Sequence, residues 1–204
     1  MALARVPVSV SAAVVLTLMS SVATPVLAET GTYALDPAAS AVDFTIYASK
    51  IFRFKREGQF KAFTGQLWFD PENPLGTQVD LTVYTSSVDI HNDEHNQLLR
   101  SDAFFDVERF PTMHFMSSST DMKPDGTFSM TGDLTIHGIT QRLTIPAKLK
   151  LAAESGGSPI AFFESTFEID RTEFGLAGIA KHGFNVSISK EVRIHVAMAT
   201  LLKR

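Results

Sequence analysis

The chain contains no cysteine. Disulfide bonds, thiol catalysis and thiolate metal sites all need that residue and are therefore excluded. Long apolar runs are also scarce, and the one at residues 8–18 is too short to span about 30 Å of hydrocarbon comfortably. Stability must then come from a packed core and from the hydrogen bonds of the sheet.

Basic residues are outnumbered by acidic ones, 18 against 22, and the formal net charge is −4. Such a chain is expected to bind nucleic acids poorly, because the affinity for nucleic acids comes mostly from basic residues that neutralise the phosphates. Polar aromatic residues are few, with 3 Tyr and 1 Trp against 16 Phe. Phenylalanine carries no polar group, so this excess indicates an interior to fill or an apolar ligand to hold.

The N-terminus has the pattern of a cleavable signal peptide. Arg5 supplies a basic start, the apolar run follows, and Val26 and Ala28 are small residues where a signal peptidase reads them. We expect cleavage after Ala28, which leaves residues 29–204 as one exported domain. A bacterial periplasm would suit an exported chain without disulfides. An uncleaved anchor helix is the alternative, and the short apolar run argues against it.

The rest of the chain reads as β-structure. Apolar residues alternate with polar ones in several short segments, for example Val42, Phe44 and Ile46, and turn residues separate the segments. About eight such strands predict an antiparallel meander, in either a sandwich or a barrel. Residues 91–105 break this pattern with helical spacing after Asn92 or Asp93, either of which would cap a helix. We therefore predict one short helix inserted between strands.

Six segments in order resemble the YceI family of exported, lipocalin-like polyisoprenoid-binding proteins. They read YALDP, FKAFTG, LLRSDAFFD, FPTMHF, GDLTIHGIT and DRTEFG, at residues 33–37, 60–65, 98–106, 110–115, 132–140 and 170–175. The resemblance covers residues 32–202. It implies an all-β fold, an extended eight-stranded antiparallel lipocalin-like barrel with one short α-helix. An interior of that size holds side chains or one slender ligand.

The resemblance also implies a ligand, a polyprenyl phosphate or an isoprenoid quinone, and a periplasmic carrier that needs no cofactor and is not an enzyme. The residues predicted to face the ligand are the inward sets of the strands; in most β-proteins such sets simply fill the core. They are Phe44, Ile46, Leu67, Phe69, Leu81, Val83, Met113, Phe115, Leu134, Ile136, Leu143, Ile145, Phe167, Ile169, Ile194 and Val196.

The chain departs from the family pattern at Ala39 and Ala48, where relatives usually carry histidine. The segment at residues 49–57 is also unusually basic and aromatic. Its cations Lys50, Arg53, Lys55 and Arg56 could dock on an anionic membrane or receive a phosphate head group. Alternatively they protect an edge strand, and an edge left open there would permit a homodimer.

Other polar residues favour structural roles. His91 and His95 have the spacing of a metal pair, but no third ligand is evident, so we predict no metal site. Arg171 should order backbone carbonyls near one barrel end and Arg100 should fix the helix, although Arg100 could instead contact a head group. Two alternatives to a carrier remain: an enzyme that acts on an isoprenoid lipid through His91, His95 or His114, and an accessory module for a membrane redox protein.

Overall fold

The computed structural model describes residues 29–48, 54–123, 127–153, 159–176 and 188–203. Within them, eleven strands and one α-helix follow the chain. The strands are β1 Gly31–Leu35, β2 Ala41–Ala48, β3 Phe54–Phe60, β4 Phe63–Phe69, β5 Gln78–Tyr84, β6 Val88–Asp89, β7 Thr112–Met122, β8 Phe128–Ile136, β9 Ile139–Ala153, β10 Pro159–Asp170 and β11 Glu191–Leu202; the helix is α1 Asp93–Arg100.

The strands close into an eight-stranded antiparallel barrel, which confirms the predicted fold class. β1 and β2 pair with the same edge of β11, so they form one barrel strand that is interrupted by the turn at Pro37–Ala39. Likewise β3 continues into β4 and β6 continues β5, because β4 pairs with β5 and β3 with β6. The sequence pattern did not predict these interruptions, since breaks of two to five residues barely disturb the alternation of apolar residues.

Two local features explain how the meander turns. His137 and Gly138 have φ of 52° and 75°, and a two-residue turn with both φ positive matches the twist of the β8–β9 hairpin. Gly132 allows the Phe115 ring to lie against β8, because an added Cβ would come within 2.6 Å of that ring. The predicted turn at residues 123–126 and the predicted loop at residues 155–159 lie largely outside the described residues.

The predicted helix is present, but it is shorter than the segment with helical spacing, residues 91–105. It begins after Asn92, whose Oδ1 accepts a hydrogen bond of 2.9 Å from the His95 amide, and it ends at Arg100. Ala103 and Phe104 therefore lie beyond the helix, where both are buried. No helix of the described residues is both long and apolar enough to cross a membrane. The proposed signal peptide at residues 1–28 lies outside the described residues.

The barrel interior has two unlike halves. Around β1 and β4 it is filled by side chains that are almost fully buried: Tyr33, Leu67, Met130 and Met198. Around β2, β3 and α1 the inward-facing side chains leave a space between them. The packed half closes one end of that space.

Candidate functional site

The space in the second half is an apolar cavity. It holds about 1160 Å³, counting the part that opens to solvent, and side chains from β2, β3, β5 and β7 to β11 line it. Sites for small molecules are typically concave and mostly apolar, as this space is. The cavity is the candidate functional site.

Thirteen of the sixteen predicted ligand-facing residues line this cavity. They are Phe44, Ile46, Leu81, Val83, Met113, Phe115, Leu134, Ile136, Ile145, Phe167, Ile169, Ile194 and Val196. Their contact with a ligand stays a prediction. Leu67 and Phe69 lie instead in the packed half, at 0% and 3% exposure, and half-buried Leu143 packs against the core outside the cavity lining.

Several lining residues were not predicted. Val42, Val79, Phe163 and Val192 extend the inward sets by one position at strand ends, and the period-two pattern could have found them. Phe60 and Leu176 also line the cavity, as do Leu99, Phe104 and Phe105 in or after α1. The helical spacing of residues 91–105 does not show that the last three face the cavity, because their position depends on how the helix segment folds over the barrel.

Aromatic rings connect the barrel wall to the segment after α1. The Phe44 and Phe60 ring centroids are 5.5 Å apart, and Phe60 meets Phe105 edge to face at 5.7 Å. Gly58 permits this arrangement, because an added Cβ would lie 2.4 Å from the Phe44 ring. The α1 segment therefore acts as a cover that packs onto one side of the cavity through phenylalanine contacts.

A buried carboxylate anchors this cover to the sheet. Asp89 accepts hydrogen bonds from Asn96 Nδ2 at 2.8 Å and from the His91 amide at 2.9 Å, and Lys61 Nζ lies 2.5 Å away. Asn96 Oδ1 in turn accepts from the Ile90 amide. These bonds, from Lys61 and Asn96 first, hold the pKa of Asp89 well below its ordinary value of 3.8.

Replacing Asp89 by asparagine should therefore destabilise the protein at neutral pH and destabilise it less in acid. A carboxylate whose pKa is lowered by folding stabilises the fold above its ordinary pKa, and that stability is lost as pH falls toward the lowered value. Denaturant unfolding of both proteins at pH 7 and pH 3 would measure this. A difference in unfolding free energy that stays constant or grows in acid would contradict the role given to Asp89.

The two arginines take the structural positions predicted for them. Arg100 donates to the Val88 carbonyl at 3.0 Å and so ties α1 to the sheet, as predicted. Arg171 donates from Nε to the Ser189 carbonyl at 2.9 Å, and also to the carbonyls of Leu176 and Ile188. Asp170 Oδ1 caps the turn at Arg171–Phe174 by accepting from the Thr172 amide. Arg171 also lines the cavity, which its sequence context did not indicate.

The histidines stay apart from one another. His91 precedes α1, as expected, and His95 is exposed on the helix. His114 Nε2 lies 2.8 Å from Asp80 Oδ1 on the outer side of β7. Among the described residues, no three His, Asp or Glu side chains come close enough together to hold a metal ion.

The basic segment is described only in part, since Lys50 and Arg53 lie outside the described residues. Lys55 pairs with Glu57 on β3, and Arg56 is exposed opposite Ile46. Residues 54–58 pair with β2 along one side, whereas β6 contacts only Gln59 and Phe60. This part of β3 is thus paired on one side in the described structure, which agrees with the edge-strand hypothesis.

Comparison with known proteins shows the family of this chain. The model of the YceI-like domain matches residues 33–200. The chain belongs to the YceI family. The YceI protein of Escherichia coli O6:H1 is 36% identical over 121 residues, a segment of 58% of this chain and 62% of that protein. The chain therefore matches less than two thirds of that relative's length.

Solved structures share the architecture. BcnA of Burkholderia cenocepacia superposes with a TM-score of 0.68 at 26% identity, over 81% of this chain and 98% of that one. A polyisoprenoid binding domain from Saccharophagus degradans superposes with a TM-score of 0.64 at 16% identity, over 84% and 98%. Of the family departures, Ala39 is exposed in a turn and lies outside the cavity lining, while Ala48 ends β2.

Proposed function

We propose that this chain is an exported carrier that holds a long-chain isoprenoid lipid, a polyprenyl phosphate or an isoprenoid quinone, inside its barrel. The observation that carries the proposal is the apolar cavity of about 1160 Å³, bounded by the packed half of the barrel. The polyisoprenoid-binding function named for the Saccharophagus degradans domain supports the same ligand class.

Apolar burial would supply the affinity. Each Å² of lipid surface removed from water contributes about 25 cal/mol, and the ordering of a flexible chain opposes this gain. An isoprenoid tail suits the cavity because it is long, slender and free of polar groups. The lipid would be the ligand, so the proposal requires no cofactor.

Carriage fits the site better than catalysis does. General acid–base chemistry needs titratable groups positioned at the reacting atoms. Asp43 and His114 belong to the cavity lining, but they alternate with the inward side chains of β2 and β7, and the His114 side chain pairs with Asp80. Ser165 Oγ donates to the Pro146 carbonyl at 2.6 Å. The cavity lining that the structure describes thus brings no acid and base together.

The predicted signal peptide places this carrier in the periplasm, where its mature form would begin at Glu29. An exported lipid carrier must exchange its cargo with a membrane, so transient contact with a membrane surface belongs to the proposal. If the cargo is a quinone, a membrane redox protein would be its partner. The basic residues of the β2–β3 region would favour an anionic surface.

Native mass spectrometry of the protein purified from the periplasm tests these points together. We expect a chain that begins at Glu29 and carries about one prenyl lipid or quinone, which solvent extraction then identifies. Purified protein should also take up added geranylgeraniol. A protein that is empty and ignores added isoprenoids would overturn the carrier proposal, and a retained leader would overturn the export proposal.

A further inference from the structure

The inward-facing residues of β10 are followed by a charged residue. Phe163, Ser165, Phe167 and Ile169 of β10 all line the cavity, and Arg171, the first residue of the turn after β10, takes the next position in the same alternation. At about 3.3 Å per residue, roughly 26 Å separate the first from the last of these positions. Phe163 lies toward the packed half, so Arg171 marks the opposite end of the cavity.

The guanidinium of Arg171 is hydrogen-bonded, but not all of its N–H donors are used. It makes three hydrogen bonds to backbone carbonyls, whereas an arginine has five N–H donors. Two of its carbonyl partners belong to Leu176 and Ile188, which themselves line the cavity. The side chain is therefore held in a fixed orientation with donors to spare.

Its charge also lacks a carboxylate partner in contact. None of the ion pairs among the described residues involves Arg171. The nearby Asp170 gives its Oδ1 to Thr172. Burial lowers the pKa of Arg171, although an arginine stays protonated in proteins. The charge of Asp170 acts on Arg171 only from beyond ion-pair distance, so an anion placed next to the half-buried guanidinium would make the direct contact that Asp170 does not make.

We propose that Arg171 binds an anionic head group of the phosphate class, so that the lipid lies with its tail toward the packed half and its head at the α1 end. This inference rests on the proposed function and specifies its ligand. Two other polar side chains of the described lining are already engaged, because Ser165 donates to the Pro146 carbonyl and His114 pairs with Asp80. Charge-assisted bidentate bonds between arginine and phosphate are among the strong hydrogen bonds of proteins.

The test compares head groups on isoprenoid probes. Calorimetric titration of the mature protein should show geranylgeranyl phosphate binding at least about tenfold more tightly than geranylgeraniol or squalene, since a hydrogen bond to a charged group is stronger than one between neutral groups. In Arg171→Gln the preference should fall below about threefold, while squalene affinity stays unchanged. Arg171→Lys keeps the charge but loses the planar pair of donors, so its preference should lie between those of the wild type and Arg171→Gln.

A matched control removes the same charge elsewhere. Arg193 lies on the outer face of β11 and pairs with Glu168. The Arg193→Gln variant should keep the full preference for the phosphate probe. Thermal unfolding checks that each variant is folded. If Arg171→Gln does not fold, the test rests on Arg171→Lys and on the wild type's affinities for the three probes.

The outcomes separate this inference from the carrier proposal. Equal affinity of the wild type for all three probes would overturn the head-group site and leave the carrier intact. A preference that survives in Arg171→Gln, or that disappears equally in Arg171→Lys, would also overturn it. Failure of every probe to bind would instead sink the carrier proposal itself.

Discussion

Replacing Phe167 by aspartate is expected to reduce the affinity for a neutral isoprenoid such as geranylgeraniol by at least about a hundredfold. Phe167 lines the cavity midway along β10 and is only partly buried by its protein neighbours. A lipid in the cavity would bury the new carboxylate without a partner, which costs several kcal/mol. Without lipid, the carboxylate can be hydrated in the open cavity, so the fold should survive.

The neighbouring residue supplies the control for this prediction. Thr166 lies on the outer face of the same strand, where its hydroxyl is 3.0 Å from His195 Nδ1. Thr166→Asp therefore adds the same charge to the same strand and should leave lipid affinity within about threefold. Affinity measured by titration, with thermal unfolding alongside, distinguishes the two positions. Equal retention by both variants would show that the cavity is not where the lipid binds.

The fold could be predicted because a barrel strand has only two faces. A period-two pattern assigns each residue to one face, and the described strands follow that assignment at Phe44, Leu81 and Phe167. The helix could be located from Asn92, a residue type that caps helices well. The Pro37–Ala39 interruption was missed, because the strand resumes in contact with the same neighbour, β11.

The candidate site could be predicted only in part, for a physical reason. Alternation shows that a residue points inward; it does not show how far along the barrel the packing stops. Leu67 and Leu81 have the same pattern in sequence, yet one is in the packed half and the other faces the cavity. Arg171 was predicted to hold backbone carbonyls, and its additional place in the cavity wall depends on the turn that follows β10.

The division of the barrel into two halves leads to the last prediction, which concerns Leu67→Ala. Leu67 is fully buried, so its truncation should lower the free energy of unfolding by about 2–5 kcal/mol. Because it does not line the cavity, lipid affinity should stay within about threefold in the folded variant. Denaturant unfolding and lipid titration on the same preparation measure both effects.

Leu81→Ala is the variant with which Leu67→Ala should be compared. Leu81 lines the cavity, so its truncation should weaken lipid binding by about tenfold, since the lipid loses buried apolar contact. The two substitutions remove the same atoms from inward positions of β4 and β5, neighbouring strands of the barrel. If Leu67→Ala weakened lipid binding as much as Leu81→Ala does, the packed half would have to open to admit the tail. The bound lipid would then extend through the whole barrel, and the side chains around Tyr33 would form a movable plug instead of a fixed end to the cavity.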